Sequence, residues 1–419
     1  MAVVTLHPGR LQGTLAVPPS KSVAHRAIIC AALAKGESQV SPVDDSQDMQ
    51  ATLQCMASLG ADFTREGRLL RIKGQSRRPE EMAVLNCLES GSTLRFLMPL
   101  ALILAGGGRF LTSGRLGERP LNPYEALFAR QGVAFDKMEN GFQVQGSLAP
   151  GHFELPGDVS SQFITGLLLA LPLLAGDSEI LLTTHPESEG YLQLTMDVMK
   201  EFGVIVQRPH SLKFLVPGSQ SYRHRDYTVE GDYSQAAVML CAGALGSGVV
   251  VRGLNPDSHQ GDKAVIGLLS QMGAGLVQED GTCFMKANGL HGIRMDGGQF
   301  PDILPMMALV CCLAKGESRI ENAGRLRLKE CDRLLATVQE LSRLGAAIRA
   351  EGDDMVIQGR DAFEGGVFVD SHNDHRMAMM LSIAALHCKA PVRLENPACV
   401  KKSWPSYWDD YMALGGMIS

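Results

Sequence analysis

The sequence is poor in aromatic residues, since Phe, Trp and Tyr make up only 5% of its 419 residues. Hydrophobic residues still account for 45% and charged residues for 20%, which is ordinary for a folded protein and excludes general disorder. Because the chain also has 45 glycines and 20 methionines, its core must consist of closely packed small and aliphatic side chains. At roughly 100–200 residues per domain, this length predicts more than one domain.

A basic excess is also absent, because 39 Lys and Arg face 45 Asp and Glu, for a formal net charge of −6. Nucleic-acid-binding proteins usually have the opposite balance, so we expect no nucleic-acid partner. The longest apolar stretches, residues 96–108 and 163–175, are too short to cross a bilayer, and each contains a proline. Residues 1–5 lack the pattern of a signal peptide, so we expect a cytoplasmic protein that does not bind membranes.

The ten cysteines form no metal-binding or disulfide pattern. There is no CxxC motif, and several cysteines lie in apolar helical segments, which is typical of reduced core thiols. Asp and His residues alternate over residues 370–375, but no HExxH motif or Cys/His cluster accompanies them, so we predict no metal. The glycine motifs of dinucleotide and P-loop sites and the GxSxG motif of serine hydrolases are absent too.

What the chain does contain is a pattern that recurs six times. Each copy has a polar start, an apolar run of about 15 residues, in most copies a glycine, and a strand-like run. The copies begin near Ser20, Ser90, Ser160, Asp232, Phe300 and Asn373. Each apolar run predicts a helix buried on nearly all sides, and amphipathic helices and strand pairs lie between them. The pattern therefore predicts an α/β fold of six βαβαββ repeats.

The polar starts of these helices carry the candidate binding groups, because a helix N-terminus has unpaired N–H groups and a partial positive charge. Lys21 and Arg26 lie at the first start, Arg95 at the second and Arg376 at the sixth. Gly91 would let a ligand approach the backbone closely. Cations beside apolar helices are costly unless they are paired or bind an anion, so this arrangement predicts a small polyanionic ligand.

These residues belong to a series of motifs that resembles the 5-enolpyruvylshikimate 3-phosphate synthase family of enolpyruvyl transferases. The motifs follow one another along essentially the whole chain: SKSxxxR (Ser20–Arg26), GSTxR (Gly91–Arg95), ERP (Glu118–Pro120), GDVSSQF (Gly157–Phe163), PD (Pro301–Asp302), LKExDR (Leu328–Arg333), NDHRMAM (Asn373–Met379) and KKSWP (Lys401–Pro405). The resemblance implies a two-domain inside-out α/β barrel with three repeats per domain. One domain would comprise residues 19–228 and the other residues 1–18 and 229–419, with the active site in a cleft that closes on the ligands.

The family's reaction transfers the enolpyruvyl group of phosphoenolpyruvate to the 5-hydroxyl of shikimate 3-phosphate and releases phosphate. The resemblance implies addition and elimination through a tetrahedral intermediate, in the pathway to chorismate and the aromatic amino acids. It also implies no cofactor, and we expect a monomer. The alternative is the sister enzyme that acts on UDP-N-acetylglucosamine, but this chain lacks that enzyme's Lys-Asn motif and its loop cysteine near Arg119. A non-catalytic polyanion-binding or RNA-processing relative is disfavoured by the acidic charge and the few aromatic residues.

By motif position, the resemblance implies three catalytic residues. Asp302 would be the base, Lys329 its acid–base partner, and Glu330 would help to move the proton at the methylene carbon. Phosphoenolpyruvate would be held by Lys21, Gly91, Arg119, Gln162, Arg333, Arg376 and Lys402. Shikimate 3-phosphate would be held by Lys21, Ser22, Arg26, Ser160, Ser161, Gln162, Ser188, Asp302 and Lys329, with Tyr191 packed near its ring. The chain departs from the family at Arg325, which is Asn in many members, and at Phe96, which is Pro in some.

Overall fold

Helices and strands alternate along the residues that the computed structural model describes, namely 3–74, 82–279 and 281–419. The helices are α1 (Lys21–Leu33), α2 (Gln47–Ser58), α3 (Gly91–Ala105), α4 (Asn122–Arg130), α5 (Ser161–Ala170), α6 (Glu189–Glu201), α7 (Tyr233–Ala244), α8 (Ala264–Gln271), α9 (Leu304–Cys312), α10 (Arg333–Leu344), α11 (His375–Leu386) and α12 (Tyr407–Ala413). The fold is therefore mixed α/β. No helix in the described ranges is long and apolar enough to cross a membrane.

The described strands are short. The first two are β1 (Val3–Leu6) and β2 (Gln12–Ala16). The next twelve are β3 (Gly36–Ser41), β4 (Asp62–Glu66), β5 (Leu69–Gly74), β6 (Ala83–Asn86), β7 (Gly107–Leu111), β8 (Ala134–Met138), β9 (Gly141–Gln145), β10 (His152–Leu155), β11 (Ser178–Leu182), β12 (Gln207–His210), β13 (Lys213–Val216) and β14 (Asp226–Thr228). The last are β15 (Gly248–Arg252), β16 (Gly275–Glu279), β17 (Thr282–Lys286), β18 (Arg294–Asp296), β19 (Glu317–Glu321), β20 (Ala347–Glu351), β21 (Asp354–Gln358), β22 (Phe363–Gly365), β23 (Phe368–Asp370), β24 (Cys388–Ala390) and β25 (Val392–Glu395).

Two compact units divide the chain. The continuous unit comprises Pro19–Val229, and the discontinuous unit comprises Met1–Pro18 and Glu230–Ser419. Each unit has its own hydrophobic core. All ten cysteines lie buried in these cores as free thiols, as expected from their apolar surroundings in the sequence.

One strand arrangement recurs in the sheets of both units. In the sheet β14-β3-β5-β4, the first two strands are parallel, and the other two form an antiparallel hairpin that adds to them. The sheets β6-β7-β9-β8, β10-β11-β13-β12, β2-β15-β17-β16 and β18-β19-β21-β20 have the same arrangement. Two smaller sheets are β1-β25-β23, in which the N-terminal strand pairs with a strand near the C-terminus, and β22-β24.

The helices that follow the polar starts are the most buried elements. Every residue of α7, α9 and α11 is buried, and these three helices pack against one another in the discontinuous unit. In the continuous unit, α1 packs against α6 and α3 packs against α5. The apolar runs of the sequence predict this burial because they leave no polar face for solvent.

One helix start differs from the sequence-based expectation. The pattern places the fifth helix start near Phe300 with Asp302 at its beginning, but α9 begins at Leu304 and residues 301–303 form a turn. Pro305 has no N–H and is favoured in the first turn of a helix, where no hydrogen bond is lost, and this favours a start at Leu304 over one a full turn earlier. Asp302 therefore lies in the turn before the helix.

Candidate active site

Three serines cap the buried helices of the continuous unit. Ser20, Ser90 and Ser160 precede α1, α3 and α5, and each side-chain oxygen accepts a hydrogen bond from a backbone N–H in the first helical turn. The predicted binding residues Ser22 and Ser161 follow within the same first turns. Serine is favoured at this position because it satisfies one of the unpaired N–H groups of the helix.

Gly91 lies against a cluster of polar side chains from three segments. Arg95 Nη1 donates to Gln162 Oε1 at 2.7 Å, and Gln162 Nε2 donates to Ser92 Oγ at 2.9 Å. A Cβ on Gly91 would lie 2.9 Å from Arg95 Nη1, 3.1 Å from Arg119 Nη1 and 3.4 Å from Gln162 Oε1. The structure thus brings together three predicted binding residues, Gly91, Arg119 and Gln162. It adds Arg95, which the sequence shows as a helix-start cation without a role.

Lys21 has a carboxylate partner that is not among the predicted site residues. Its Nζ lies 2.7 Å from Asp48 Oδ2, and both side chains are largely buried. Asp48 lies in the first turn of α2, where a carboxylate is favourable beside the positive end of the helix. Its position in a first turn is the only signal for it in the sequence.

Arg26 is buried, and its side chain contacts protein groups. Nε donates to Thr195 Oγ1 at 2.8 Å, and Nη1 donates to the Ser22 carbonyl at 2.7 Å. The guanidinium carbon lies 5.1 Å from the centre of the Phe96 ring and 5.9 Å from that of Tyr191. Burial lowers the pKa of Arg26 to about 10. In this structure, Arg26 therefore joins α1 to α6.

Ser188 lies beside this region at the start of α6. It is buried and has a left-handed backbone conformation, with φ 55° and ψ 46°. Such a conformation is uncommon for a residue with a Cβ and is often found at binding sites. No side-chain capping hydrogen bond to the helix is formed by Ser188.

A buried series of hydrogen bonds lies beside the start of α3, close to Gly91, and its members are not among the predicted site residues. His25 Nδ1 lies 2.7 Å from Thr52 Oγ1, and Thr52 Oγ1 lies 2.7 Å from Thr93 Oγ1. Thr93 Oγ1 donates to Ser90 Oγ at 2.7 Å. Burial lowers the pKa of His25 well below its usual value, with Lys21 and Arg26 adding to the effect, so His25 is neutral. These hydrogen bonds connect α1, α2 and the residue that caps α3.

In the discontinuous unit, the three residues Asp302, Lys329 and Arg333 meet. Lys329 Nζ and Arg333 Nη1 both donate to Asp302 Oδ1, at 3.0 Å and 2.9 Å. Asp302 lies in the turn before α9, Lys329 follows a short 3-10 helix (Gly324–Leu328), and Arg333 is the first residue of α10. Two of the predicted catalytic residues are thus in direct contact.

Arg333 is the centre of a larger ion-pair network. Its Nη2 lies 2.6 Å from Glu330 Oε2, and its Nε lies 2.9 Å from Asp374 Oδ2. Asp374 is fully buried and caps α11 by accepting a hydrogen bond from the Arg376 N–H at 2.8 Å. Glu330 and Arg333 are predicted site residues, whereas Asp374 has no predicted role although it lies in the NDHRMAM motif.

The charges of this network shift the pKa values of its members. Burial alone would raise the pKa of Asp302, but Lys329, Arg376 and Arg333 outweigh it and hold that pKa well below its usual value. Burial lowers the pKa of Lys329, and Asp302 offsets only part of this effect. Burial would lower the pKa of Arg333 as well, but Asp374, Glu330 and Asp302 raise it well above its usual value.

Two further predicted cations lie near the start of α11. Arg376 donates from Nη1 to the Ser234 carbonyl at 2.9 Å and from Nη2 to Ser234 Oγ at 2.6 Å. Lys402 Nζ donates to the Asn373 carbonyl at 2.7 Å. Arg325, the position that departs from the family pattern, donates to the Gly298 carbonyl at 3.3 Å. Throughout the described ranges, no group of three or more His, Cys, Asp or Glu residues could hold a metal ion.

Comparisons with known proteins agree over the length of the chain. A family model described as EPSP synthase (3-phosphoshikimate 1-carboxyvinyltransferase) matches residues 6–411. A 3-phosphoshikimate 1-carboxyvinyltransferase of Clostridium beijerinckii is 45% identical over 428 residues, which cover 100% of this chain and 98% of that protein. A protein of the same description from Clostridium perfringens is 46% identical over 422 residues, which cover 100% and 99%.

Solved structures share the fold. The structure of EPSP synthase from Acinetobacter baumannii has a TM-score of 0.84 at 24% identity, and the match covers 100% of this chain and 99% of that one. The enolpyruvyl transferase NikO from Streptomyces tendae has a TM-score of 0.82 at 18% identity, with coverage of 100% and 98%. At these identities, the structural likeness establishes the architecture alone.

Proposed function

The chain belongs to the EPSP synthase (3-phosphoshikimate 1-carboxyvinyltransferase) family and catalyses that family's reaction, and we propose that the residues described above form its active site. The enzyme transfers the enolpyruvyl group of phosphoenolpyruvate to the 5-hydroxyl of shikimate 3-phosphate. The family match and the curated relatives favour this acceptor over UDP-N-acetylglucosamine. The contact of Asp302 with Lys329 and Arg333 is the observation that carries the assignment of the site.

We propose that the sheets and helices form six βαβαββ repeats, three in each of two inside-out domains, residues 19–228 and residues 1–18 with 229–419. The recurrence of one strand arrangement in five sheets supports this proposal. We also propose that the ligands bind in a cleft between the domains, which closes on them. The support is chemical, because each unit carries its own group of cations next to buried helix starts, and one polyanion would satisfy both groups.

Phosphoenolpyruvate carries a phosphate and a carboxylate, and both are suited to the cations of the two units. In this proposal Lys21, Gly91, Arg119 and Gln162 contribute from the continuous unit, and Arg333, Arg376 and Lys402 from the discontinuous unit. Guanidinium groups pair with carboxylate and phosphate through two parallel hydrogen bonds. Shikimate 3-phosphate would be held by Lys21, Ser22, Arg26, Ser160, Ser161, Gln162, Ser188, Asp302 and Lys329. Ser160 serves both as a helix cap and as a hydroxyl donor to the ligand.

In the proposed chemistry, Asp302 accepts the proton of the 5-hydroxyl of shikimate 3-phosphate while the hydroxyl oxygen bonds to C2 of phosphoenolpyruvate. Lys329 or Glu330 protonates C3, which gives a tetrahedral intermediate. The bond between C2 and the bridging phosphate oxygen then breaks, and phosphate leaves with the proton that Asp302 had accepted. The group that protonated C3, Lys329 or Glu330, takes a proton back from C3 and so restores the methylene group. Asp302 is a weak base while cations surround it, and bound anions would neutralise these cations and raise its pKa. Burial of Lys329 lowers its pKa and makes it a better acid.

A phosphate-release assay after chelator treatment tests the reaction and its independence from metals. We expect phosphate to appear only when phosphoenolpyruvate and shikimate 3-phosphate are both present, and the chelator to have no effect. A second arm offers UDP-N-acetylglucosamine as the acceptor. Phosphate release with the UDP-sugar, or loss of turnover that added divalent cation restores, would contradict the proposal.

A further inference from the structure

A buried carboxylate on α10 lies outside the proposed chemistry. Glu340 is fully buried and lies two helical turns after Arg333. Its Oε1 lies 2.9 Å from His372 Nε2, and its Oε2 accepts a hydrogen bond from the Asp370 N–H at 3.1 Å. Burying a carboxylate is costly unless it is paired and hydrogen-bonded, so Glu340 and His372 depend on each other. Glu340 thus holds both ends of the segment Asp370–His372.

This segment has an unfavourable backbone conformation. His372 and Asn373 have φ values of 52° and 53°, so two consecutive residues with side chains lie in the left-handed region. Such residues persist only where their surroundings impose the conformation. Besides the bonds to Glu340, Asp370 Oδ1 accepts hydrogen bonds from the His372 N–H at 2.8 Å and from Asn396 Nδ2 at 3.2 Å.

The segment leads directly into the proposed phosphoenolpyruvate site. The Asn373 carbonyl accepts the hydrogen bond from Lys402 Nζ. The next residue, Asp374, pairs with Arg333 and caps the helix that begins with His375 and Arg376. A change in the backbone at His372 would therefore move a partner of Lys402 and the anchor of Arg333 together.

We propose that Glu340 and His372 are positioning residues for phosphoenolpyruvate binding, which they support by holding residues 370–373 so that Lys402, Arg333 and Arg376 face the ligand. The inference rests on the proposed function, because it takes these cations as the phosphoenolpyruvate site. Neither residue touches the ligand in this account, so their contribution is to the affinity for phosphoenolpyruvate and not to bond making.

The charges around His372 make the positioning by Glu340 and His372 dependent on pH. The hydrogen bond to Glu340 raises the pKa of His372, and the charges of Asp370 and Glu340 add to this effect, whereas burial and Arg343 oppose it. Arg343 Nη1 lies 3.6 Å from Glu340 Oε2. Since the pKa of His372 is raised, the ion pair is complete at low pH and is weakened as the pH rises through that pKa.

The test measures the KM for phosphoenolpyruvate and kcat in Glu340→Gln and His372→Asn from about pH 5.5 to about pH 9. Because hydrogen bonds to charged groups are lost, we expect KM to rise about tenfold at low pH with little change in kcat. The ratio of variant KM to wild-type KM should fall as the pH rises through the pKa of His372. The matched control is Glu364→Gln, an exposed carboxylate paired with Lys389, which should leave KM unchanged.

A double variant shows whether the two residues act as one unit. Glu340→Gln with His372→Asn should raise KM no further than the larger single effect. Additive effects, or a wild-type KM in either single variant, would overturn the inference. If Glu340→Gln does not fold, His372→Asn decides the question, because the imidazole is partly exposed and its loss leaves a smaller defect.

Lys402→Met separates this inference from the proposed function. If Lys402→Met leaves the KM for phosphoenolpyruvate unchanged, Lys402 does not hold the ligand, and the site assignment and the inference both fail. If Lys402→Met raises KM and neither Glu340→Gln nor His372→Asn does, only the inference fails. A rise in all three variants, with kcat largely preserved in the Glu340 and His372 variants, supports it.

Discussion

Arg333 and Asp374, which are 41 residues apart in sequence, form a fully buried ion pair with Nε 2.9 Å from Oδ2. The pair joins the first residue of α10 to the cap of α11. Because Arg333 also contacts Asp302 and Glu330, one guanidinium organises most of the carboxylates of the proposed site. The stability of this part of the fold and the geometry of its chemistry therefore depend on the same pair.

Removing the negative charge of Asp374 should be severely destabilising. Asp374→Asn leaves the buried Arg333 guanidinium short of a partner, and such losses cost about 3–5 kcal/mol. Denaturant unfolding measures the change in the free energy of unfolding. Glu364→Gln, at an exposed ion pair, should cause almost none. Equal stability of the Asp374→Asn variant and the wild type would show that the pair does not support the fold.

Asp302→Ala and Lys329→Met should abolish turnover and leave the fold intact. Removing a general acid or base typically lowers kcat by about 10²–10⁴-fold. Single-turnover measurements give the rate, and circular dichroism and thermal unfolding report the fold. Near-normal turnover in either variant would show that the assigned acid–base role is wrong.

The lowered pKa of Lys329 predicts an alkaline limit to activity. If the protonated amine is the acid, kcat/KM falls as the pH rises through this pKa, which burial holds below its ordinary value. Lys329→Arg, which keeps its charge at high pH, should be slow and should lack this alkaline limb. An alkaline limb that stays in place in Lys329→Arg would assign it to another group.

Gly91→Ala should weaken phosphoenolpyruvate binding more than it slows the chemistry. The added methyl group would meet Arg95 Nη1 at 2.9 Å and Arg119 Nη1 at 3.1 Å, so at least one guanidinium must move. Steady-state kinetics should show a higher KM for phosphoenolpyruvate. Gly267→Ala on α8 is the control, because its new Cβ has nothing within 4 Å. A KM that rises in neither variant would mean that the contact at Gly91 is unimportant for binding.

Thr52→Val tests the buried hydrogen bonds that join His25, Thr52 and Thr93 beside the start of α3. The substitution keeps the shape of the side chain but leaves His25 and Thr93 without their shared partner, at a cost of about 1–3 kcal/mol. The free energy of unfolding measures this loss. An unchanged free energy of unfolding would show that these hydrogen bonds do not stabilise the fold.

Local structure was largely predictable from the sequence. The apolar runs predicted the buried helices because a helix without a polar face has no other stable place. The serines before α1, α3 and α5 cap them as expected from their side chains. The motifs indicated the reaction because they match those of the family in residue type and in order along the chain.

Other features were decided only by the tertiary structure. Periodicity and capping describe neighbours in sequence, whereas the partner of a buried charge comes from a distant segment that packing brings near it. Asp374 contacts Arg333, and Glu340 contacts His372, which is 32 residues away in sequence. No local sequence pattern predicts either pair. The sequence by itself determined which segments are buried and which residue types their polar ends carry. The packing of those segments determined which charges meet, and therefore their pKa values, because electrostatic interactions depend on distance in space.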